Sequence, residues 1–134
     1  MAESMTQMES QIATHNRYDS IGPQLHRNLP RVEIEIRRGR ARSRVRPVMS
    51  PVFLIGTASD CDMVLGSPQF PAVHAYLFVT NRDVSIRCLG APPELTVGGQ
   101  PVQSSRLNDG DLIRTGPYEF RVGIQWPPGI EPGR

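Results

Sequence analysis

Few residues in this 134-residue chain stand in patterns that do chemistry. Asp60 and Asp62 flank Cys61 in a short polar stretch, and Asp109-Gly110-Asp111 sets a second carboxylate pair two residues apart. Such pairs can share acid–base work or hold a cation. At this spacing, beside Gly or Ser, aspartate more often accepts hydrogen bonds from nearby backbone N–H groups and shapes a turn. A calcium loop needs more oxygen ligands in register. His74 has no nucleophile beside it and no partner at metal-ligand spacing. Cys61 and Cys88 are the only cysteines and form no C-x-x-C, so two free thiols in a reducing compartment are expected. No catalytic residue, metal site or cofactor is predicted, and the chain does not read as an enzyme.

Arginine is the residue with chemical reach. The chain contains no lysine, and seven of its 15 basic residues lie between Arg31 and Arg46, against only Glu33 and Glu35. Arg38, Arg40, Arg42, Arg44 and Arg46 form a basic stripe whose guanidinium forks suit carboxylate and phosphate. The plainer expectation is a solvated hairpin face, with Glu33 and Glu35 pairing with arginines across the strands. Nucleic acid is a weaker partner for it, because no aromatic residues interleave as stacking platforms.

The elements that carry these residues are strands. Val32, Ile34 and Ile36 alternate with Arg31, Glu33, Glu35 and Arg37, a period of two that predicts a half-buried strand. Arg38-Gly39-Arg40 is a turn, and Ala41 to Met49 returns as a second strand with Arg42, Arg44 and Arg46 on one face. Val52–Gly56, Met63–Leu65, His74–Thr80, Val84–Cys88, Leu95–Val97, Pro101–Gln103 and Tyr118–Ile124 continue the series. Thr80-Asn81-Arg82-Asp83 and Gly98-Gly99 make turns between them, and the prolines in 90–94 demand a loop. Thirteen prolines and 12 glycines with few aromatics fit the same reading. Short strands separated by regular turn signals predict an all-β fold, an antiparallel β-sandwich of about ten or eleven strands in two sheets.

Two segments in this series carry a family signature. Phe53-Leu54-Ile55-Gly56-Thr57-Ala58-Ser59-Asp60-Cys61-Asp62-Met63-Val64-Leu65 is followed by Ser67 to Leu77, which contains Pro71-Ala72-Val73-His74-Ala75. Together they resemble the forkhead-associated (FHA) domain, a β-sandwich with an FHA/SMAD-like fold whose loops usually read phosphothreonine. Its motifs run Gly-Arg-x-x-x-x-Asp-(Ile/Val)-x-Leu, then Ser-x-x-His-Ala, then Val-Asn-Gly and Leu-x-x-Gly-Asp-x-Ile. Gly56, Asp62, His74 and Gly99 match the positions that shape loops. Thr57 stands where the family has Arg, Pro71 where it has Ser, and Gly98 where it has Asn.

By that resemblance the scaffold is present and the phosphopeptide contacts are replaced. Thr57 keeps a hydroxyl without charge, Pro71 removes a hydroxyl and an N–H donor, and Gly98 has no side chain. Charge-assisted hydrogen bonds contribute roughly 1.5–3 kcal/mol each, so losing two or three costs on the order of a thousandfold in affinity. The resemblance therefore implies a protein-interaction module that works without phosphothreonine. Two alternatives stay open: phosphothreonine-peptide binding through substitutes such as Ser59, Arg82 or a hairpin arginine, and polyanion or nucleic-acid binding by the Arg37–Arg46 hairpin.

The domain is expected over residues 30–124, between a flexible tail at 1–29 and a proline-rich tail at 125–134. Within the first tail, Met5, Met8 and Ile12 could form a short amphipathic turn over Thr6–Thr14. No run of apolar residues is long enough for a membrane span, and Met1-Ala2-Glu3-Ser4-Met5 opens no apolar signal region, so a cytoplasmic location is predicted. The expected partner is a protein, with the domain a monomer or part of a larger complex.

Overall fold

The computed structural model describes residues 29–89 and 92–129, which form eleven strands and no helix. In chain order they are β1 (Arg31–Arg38), β2 (Arg44–Val48), β3 (Val52–Gly56), β4 (Met63–Val64), β5 (Ala75–Val79), β6 (Val84–Cys88), β7 (Leu95–Val97), β8 (Gln100–Pro101), β9 (Ser104–Leu107), β10 (Leu112–Thr115) and β11 (Tyr118–Gln125). The first sheet runs β2-β1-β11-β10-β7-β8 and the second β4-β3-β5-β6-β9. Every pairing is antiparallel except β3 with β4, which the loop at 57–62 brings back in the same direction.

Alternation decides which side chains meet. Along β11, Tyr118, Phe120, Val122 and Ile124 are buried and the residues between them are not. That is the period-two rule of a strand with one face in a core. β1 pairs with β11 along its whole length, from Arg31 opposite Gln125 to Arg38 opposite Tyr118, and adds Val32 and Ile34 to the same face. The second sheet answers with Phe53, Ile55, Ala75, Leu77, Val79, Val84 and Ile86. Leu29 and Trp126, at the two ends of the described domain, pack against this core. Trp126 thus folds back on the sandwich instead of beginning a free tail. The expected amphipathic turn at Thr6–Thr14 and the remainder of both tails lie outside the described residues.

The strands agree closely with the alternation, apart from β8 and three larger differences. β8 is Gln100–Pro101 where the sequence predicts Pro101–Gln103, because Val102 already turns its N–H to the Leu95 carbonyl. β2 starts at Arg44, not Ala41, because the chain needs 39–43 to turn, leaving Arg40 and Arg42 in the loop. Its register sets Arg44 opposite Ile36 and Arg46 opposite Ile34, while Glu33 faces Pro47 and Glu35 faces Val45. The expected Glu–Arg pairs across this hairpin therefore do not form, since neighbours of opposite parity point to opposite faces. Glu35 instead lies beside Arg121 of β11, and Arg37 beside Glu119. The third difference is β9: Ser104-Ser105-Arg106-Leu107 pairs with β6 although its sequence has little β character.

The aspartates in the turns hold backbone, as their spacing predicted. An Asp109 carboxylate oxygen accepts from the Ile124 N–H at 2.8 Å, and Asp111 accepts from the Asn108 N–H at 2.8 Å. Leu77 sits at the centre of the second sheet with no exposure. Leu77→Ala is expected to cost about 2–5 kcal/mol through lost contacts and a cavity, read as a lower urea midpoint of unfolding.

Candidate functional site

One end of the sandwich gathers the loops 39–43, 57–62, 65–74 and 116–117, together with Leu89 and residues 92–94. The registers fix this. Arg38 pairs with Tyr118, Tyr118 with Thr115, and Thr115 with Leu95 across the first sheet. Ile55 pairs with Ala75 and Ala75 with Cys88 across the second. These two lines of residues mark the same edge of the core, and the loops leave from it.

His74 joins the sheets there. The residue is fully buried, and its Nε2 lies 3.0 Å from the Thr115 hydroxyl. That hydroxyl donates in turn toward the Pro93 carbonyl at 3.5 Å. With the Thr115 proton directed at Pro93, Nε2–H is the donor to Thr115, and Nδ1 has no hydrogen-bond partner among the described residues. The Phe70 ring meets the imidazole edge-on, with centroids 5.0 Å apart. Burial pushes the His74 imidazole below its ordinary range, because a second proton would leave a charge unsolvated. The His74 backbone adds an N–H to the Ile55 carbonyl at 2.8 Å and accepts from Leu89 N–H at 2.8 Å.

Gly56 is required by a close approach. A Cβ there would come within 2.7 Å of the Ala72 carbonyl carbon and 2.8 Å of Val73 Cα, so only hydrogen fits between the loops. Thr57 and Ala58 then continue the seam, with N–H groups reaching the Pro71 and Ala72 carbonyls at 3.1 Å each. The Thr57 hydroxyl also turns onto this seam, 3.2 Å from the Pro71 carbonyl and 3.5 Å from that of Phe70. Cys61, buried beneath, donates its thiol to Ala72 O at 3.3 Å. Burial first, then the Asp60 carboxylate, push that thiol upward. It is a packing group, inert as a nucleophile. The Asp62 carboxylate accepts from Leu54 N–H at 2.7 Å, which extends the two-residue β3–β4 ladder by one bond.

The basic hairpin reaches this end, which its sequence position did not foretell. The Arg38 guanidinium lies 5.3 Å from the centre of the Tyr118 ring. It also sits beside Gly66, whose N–H donates to the Tyr118 hydroxyl at 2.7 Å. Arg40 and Arg42 occupy the exposed loop next to it, and Arg44 opens β2. Arg46 crosses to the second sheet, where it donates to the Asp62 carbonyl at 2.7 Å. Ser59 is exposed in the 57–62 loop.

Three expected residues lie elsewhere. Gly98 and Gly99 form the β7–β8 turn with φ of 60° and 87°, as their sequence predicted. Gly98 donates to the Leu112 carbonyl, however, at the end of β10 opposite Thr115 and roughly 10 Å along the strand. It does not meet Thr57 and Pro71; the residues beside His74 and Thr115 are Leu89 and Pro93. Arg82 belongs to the Thr80–Asp83 turn beyond β5, roughly 15 Å along that strand from His74. It is no substitute contact at this end. Thr115, Tyr118 and Phe70 went unnoticed in the sequence. Thr115 had a signal: a hydroxyl at the inward position after Ile113 requires a buried partner.

The fold is shared with known proteins. Residues 35–125 match the family described as inner membrane component of T3SS, cytoplasmic domain. The chain belongs to this family. Its fold is that of an FHA domain, as solved structures show. The FHA domain of Rv0020c superposes with a TM-score of 0.65 at 23% identity, over 72% of this chain and 94% of that one. Mycobacterium tuberculosis EmbR, solved with a low-affinity phosphopeptide, gives 0.62 at 26% identity over 73% of this chain and 25% of its own length. The FhaA FHA domain, solved with the intracellular domain of Rv3910, gives 0.59 at 25% identity over 68% and 98%. The sequence has no match among curated proteins. This FHA-type domain is a protein-interaction module. Among the described residues no helix is long and apolar enough to cross a membrane.

Two outcomes test the geometry of this end. Gly56→Ala should destabilise the domain by about 1–3 kcal/mol or more, since backbone on the facing loop must move, and a thermal melt would register it. The lowered His74 basicity sets a sign for pH. The unfolded chain takes up a proton below about pH 6.5 that the folded chain refuses, so stability falls as pH drops through that value. Denaturant midpoints at about pH 7.5 and 5.5 should differ in that sense, and His74→Gln should remove this part of the difference.

Proposed function

We propose that this FHA-type domain engages a protein partner without reading phosphothreonine, as an assembly module on the cytoplasmic side of a larger complex. The observation that supports this is the seam between the two motif loops. The Thr57 N–H and hydroxyl both point at the Pro71 carbonyl, and Pro71 has no N–H to offer in return. A phosphate dianion needs a fixed cation and several convergent donors. At these two positions the donors are spent on the loops themselves and neither residue carries charge. The matched family, a cytoplasmic domain of an inner membrane component, supports the location and the assembly role.

Retained phosphopeptide binding is the second reading, and Arg38 is the observation in its favour. Its guanidinium reaches the loop end beside Gly66 and over Tyr118, where an anion at the rim would meet it. Of the neighbouring hairpin arginines, Arg46 is engaged with the Asp62 carbonyl, and Arg40 and Arg42 lie exposed in the adjoining 39–43 loop. The same dispersal weakens the nucleic-acid reading, which needs several cations tracking one backbone.

Calorimetric titration with a phosphothreonine peptide and its unphosphorylated twin separates these readings. Equal, non-saturating heats are expected. Saturable binding of the phosphorylated peptide alone, abolished by Arg38→Ala, would establish the second reading in place of the first. Oligonucleotide binding that steepens at low salt and disappears when Arg42, Arg44 and Arg46 are replaced would overturn both.

A further inference from the structure

The two sheets of the sandwich turn very different faces to solvent. Outside the first sheet, Glu35 neighbours Arg121, Arg37 neighbours Glu119, and Glu119 lies 3.9 Å from Arg114. That is a charged, interspersed surface of the kind that stays in water. Outside the second sheet, β3, β4 and β5 present Val52, Leu54, Val64, Tyr76 and Phe78. Val52 is paired with Phe78, Leu54 with Tyr76, and Val64 stands beside Gly56. Val52, Val64 and Phe78 are 42%, 52% and 43% exposed. One exposed apolar residue is unremarkable, but a contiguous aromatic and aliphatic patch marks a contact surface.

The other half of this face is polar and basic. Tyr76 neighbours Arg87 and Phe78 neighbours Ser85; beyond them on β9 lie Ser104 and Arg106. Two carboxylates close to the face in sequence are already engaged. Asp83 lies 3.5 Å from Arg106, and Asp62 accepts from the Leu54 N–H. Arg87 has no carboxylate partner among the described residues. Apolar rows beside a basic margin call for an occupant with an apolar stripe flanked by carboxylates.

We propose that the outer face of the second sheet docks an acidic, amphipathic segment of a partner protein, with its apolar stripe on Val64, Val52 and Phe78 and its carboxylates toward Arg87. A second copy of this chain fits less well. Two such faces brought together bury apolar on apolar, but they add arginines without counter-ions, and like charges across an interface repel. The proposal rests on the phosphate-independent reading above, and the two fail separately. Saturable phosphothreonine binding at the loop end sinks that reading whatever the sheet does, while an unselective sheet sinks only this one.

The test is selection of a displayed library of random, unphosphorylated peptides on the full chain. Enriched sequences should combine apolar residues with Asp or Glu. A synthetic peptide from that set should bind about tenfold or more weakly to Phe78→Thr, the loss expected of a central interface anchor. Val64→Thr, which keeps both the β-branch and the volume, supplies a second variant should the first fold poorly. Unchanged melting temperatures confirm that the face and not the fold was altered. Arg87→Glu should shift selection from acidic toward basic peptides. Failure to enrich any sequence, enrichment of basic ones, or binding indifferent to both threonine variants overturns the proposal. So does binding lost only in Arg40→Glu/Arg42→Glu, which moves the surface to the hairpin, or self-association abolished by Phe78→Thr with no peptide selected, which makes the occupant a second copy.

Discussion

The hydrogen bond between His74 and Thr115 is the constraint on which this end of the molecule depends. It is a polar contact at the rim of an otherwise apolar core, and it links the residue that leads into β5 of one sheet to the end of β10 of the other. Apolar packing holds the sheets together without specifying how their edges align. A buried donor and acceptor do specify it, because separating them leaves two unsatisfied groups in a low dielectric. From that fixed point the backbone of His74 sets the end of β3, Gly56 lets the facing loop close on it, and Phe70 seals the imidazole. The His74 side chain and backbone together tie β3, β10 and Leu89 at one point.

A loop end so tightly stitched has few free groups. The hydroxyl of Thr57, the thiol of Cys61 and the carboxylate of Asp62 each satisfy backbone of this same chain. Hydrogen-bonding capacity used inside the fold is not available to a ligand. Among the described residues, Arg40, Arg42, Ser59 and Asp60 are exposed near this end. The hairpin of the first sheet brings arginines to this end, and the 57–62 loop of the second adds the Asp60 carboxylate.

The sandwich also separates its surfaces by chemistry. One outer face is salted with alternating charge, and the other carries an apolar field with arginine at its margin. Both faces are built from the same period-two strands and serve the same core. Their difference has no role in holding the sheets together, so it reflects what each face meets outside. Burial of an apolar field of this kind is worth far more against a partner than any single polar contact at a wet loop.

How much of this was legible in the chain depends on range. The strand at Arg31–Arg38, the Gly98-Gly99 turn and the backbone duties of Asp109 and Asp111 follow from neighbours a few residues apart, and local pattern determined them. β9 was not legible, since Ser104 to Leu107 becomes a strand only because β6 offers it an edge. Nor was the position of Arg38 over Tyr118, or the removal of Gly98 and Arg82 to the far end. Those depend on which strand lies beside which, and on the parity of a register set by a loop of few residues. The order of residues thus determined the alternation, the turns and the two loop motifs. Only the folded sandwich decided which of those residues share an end, because cross-strand pairing joins positions whose separation along the chain carries no trace of their distance in space.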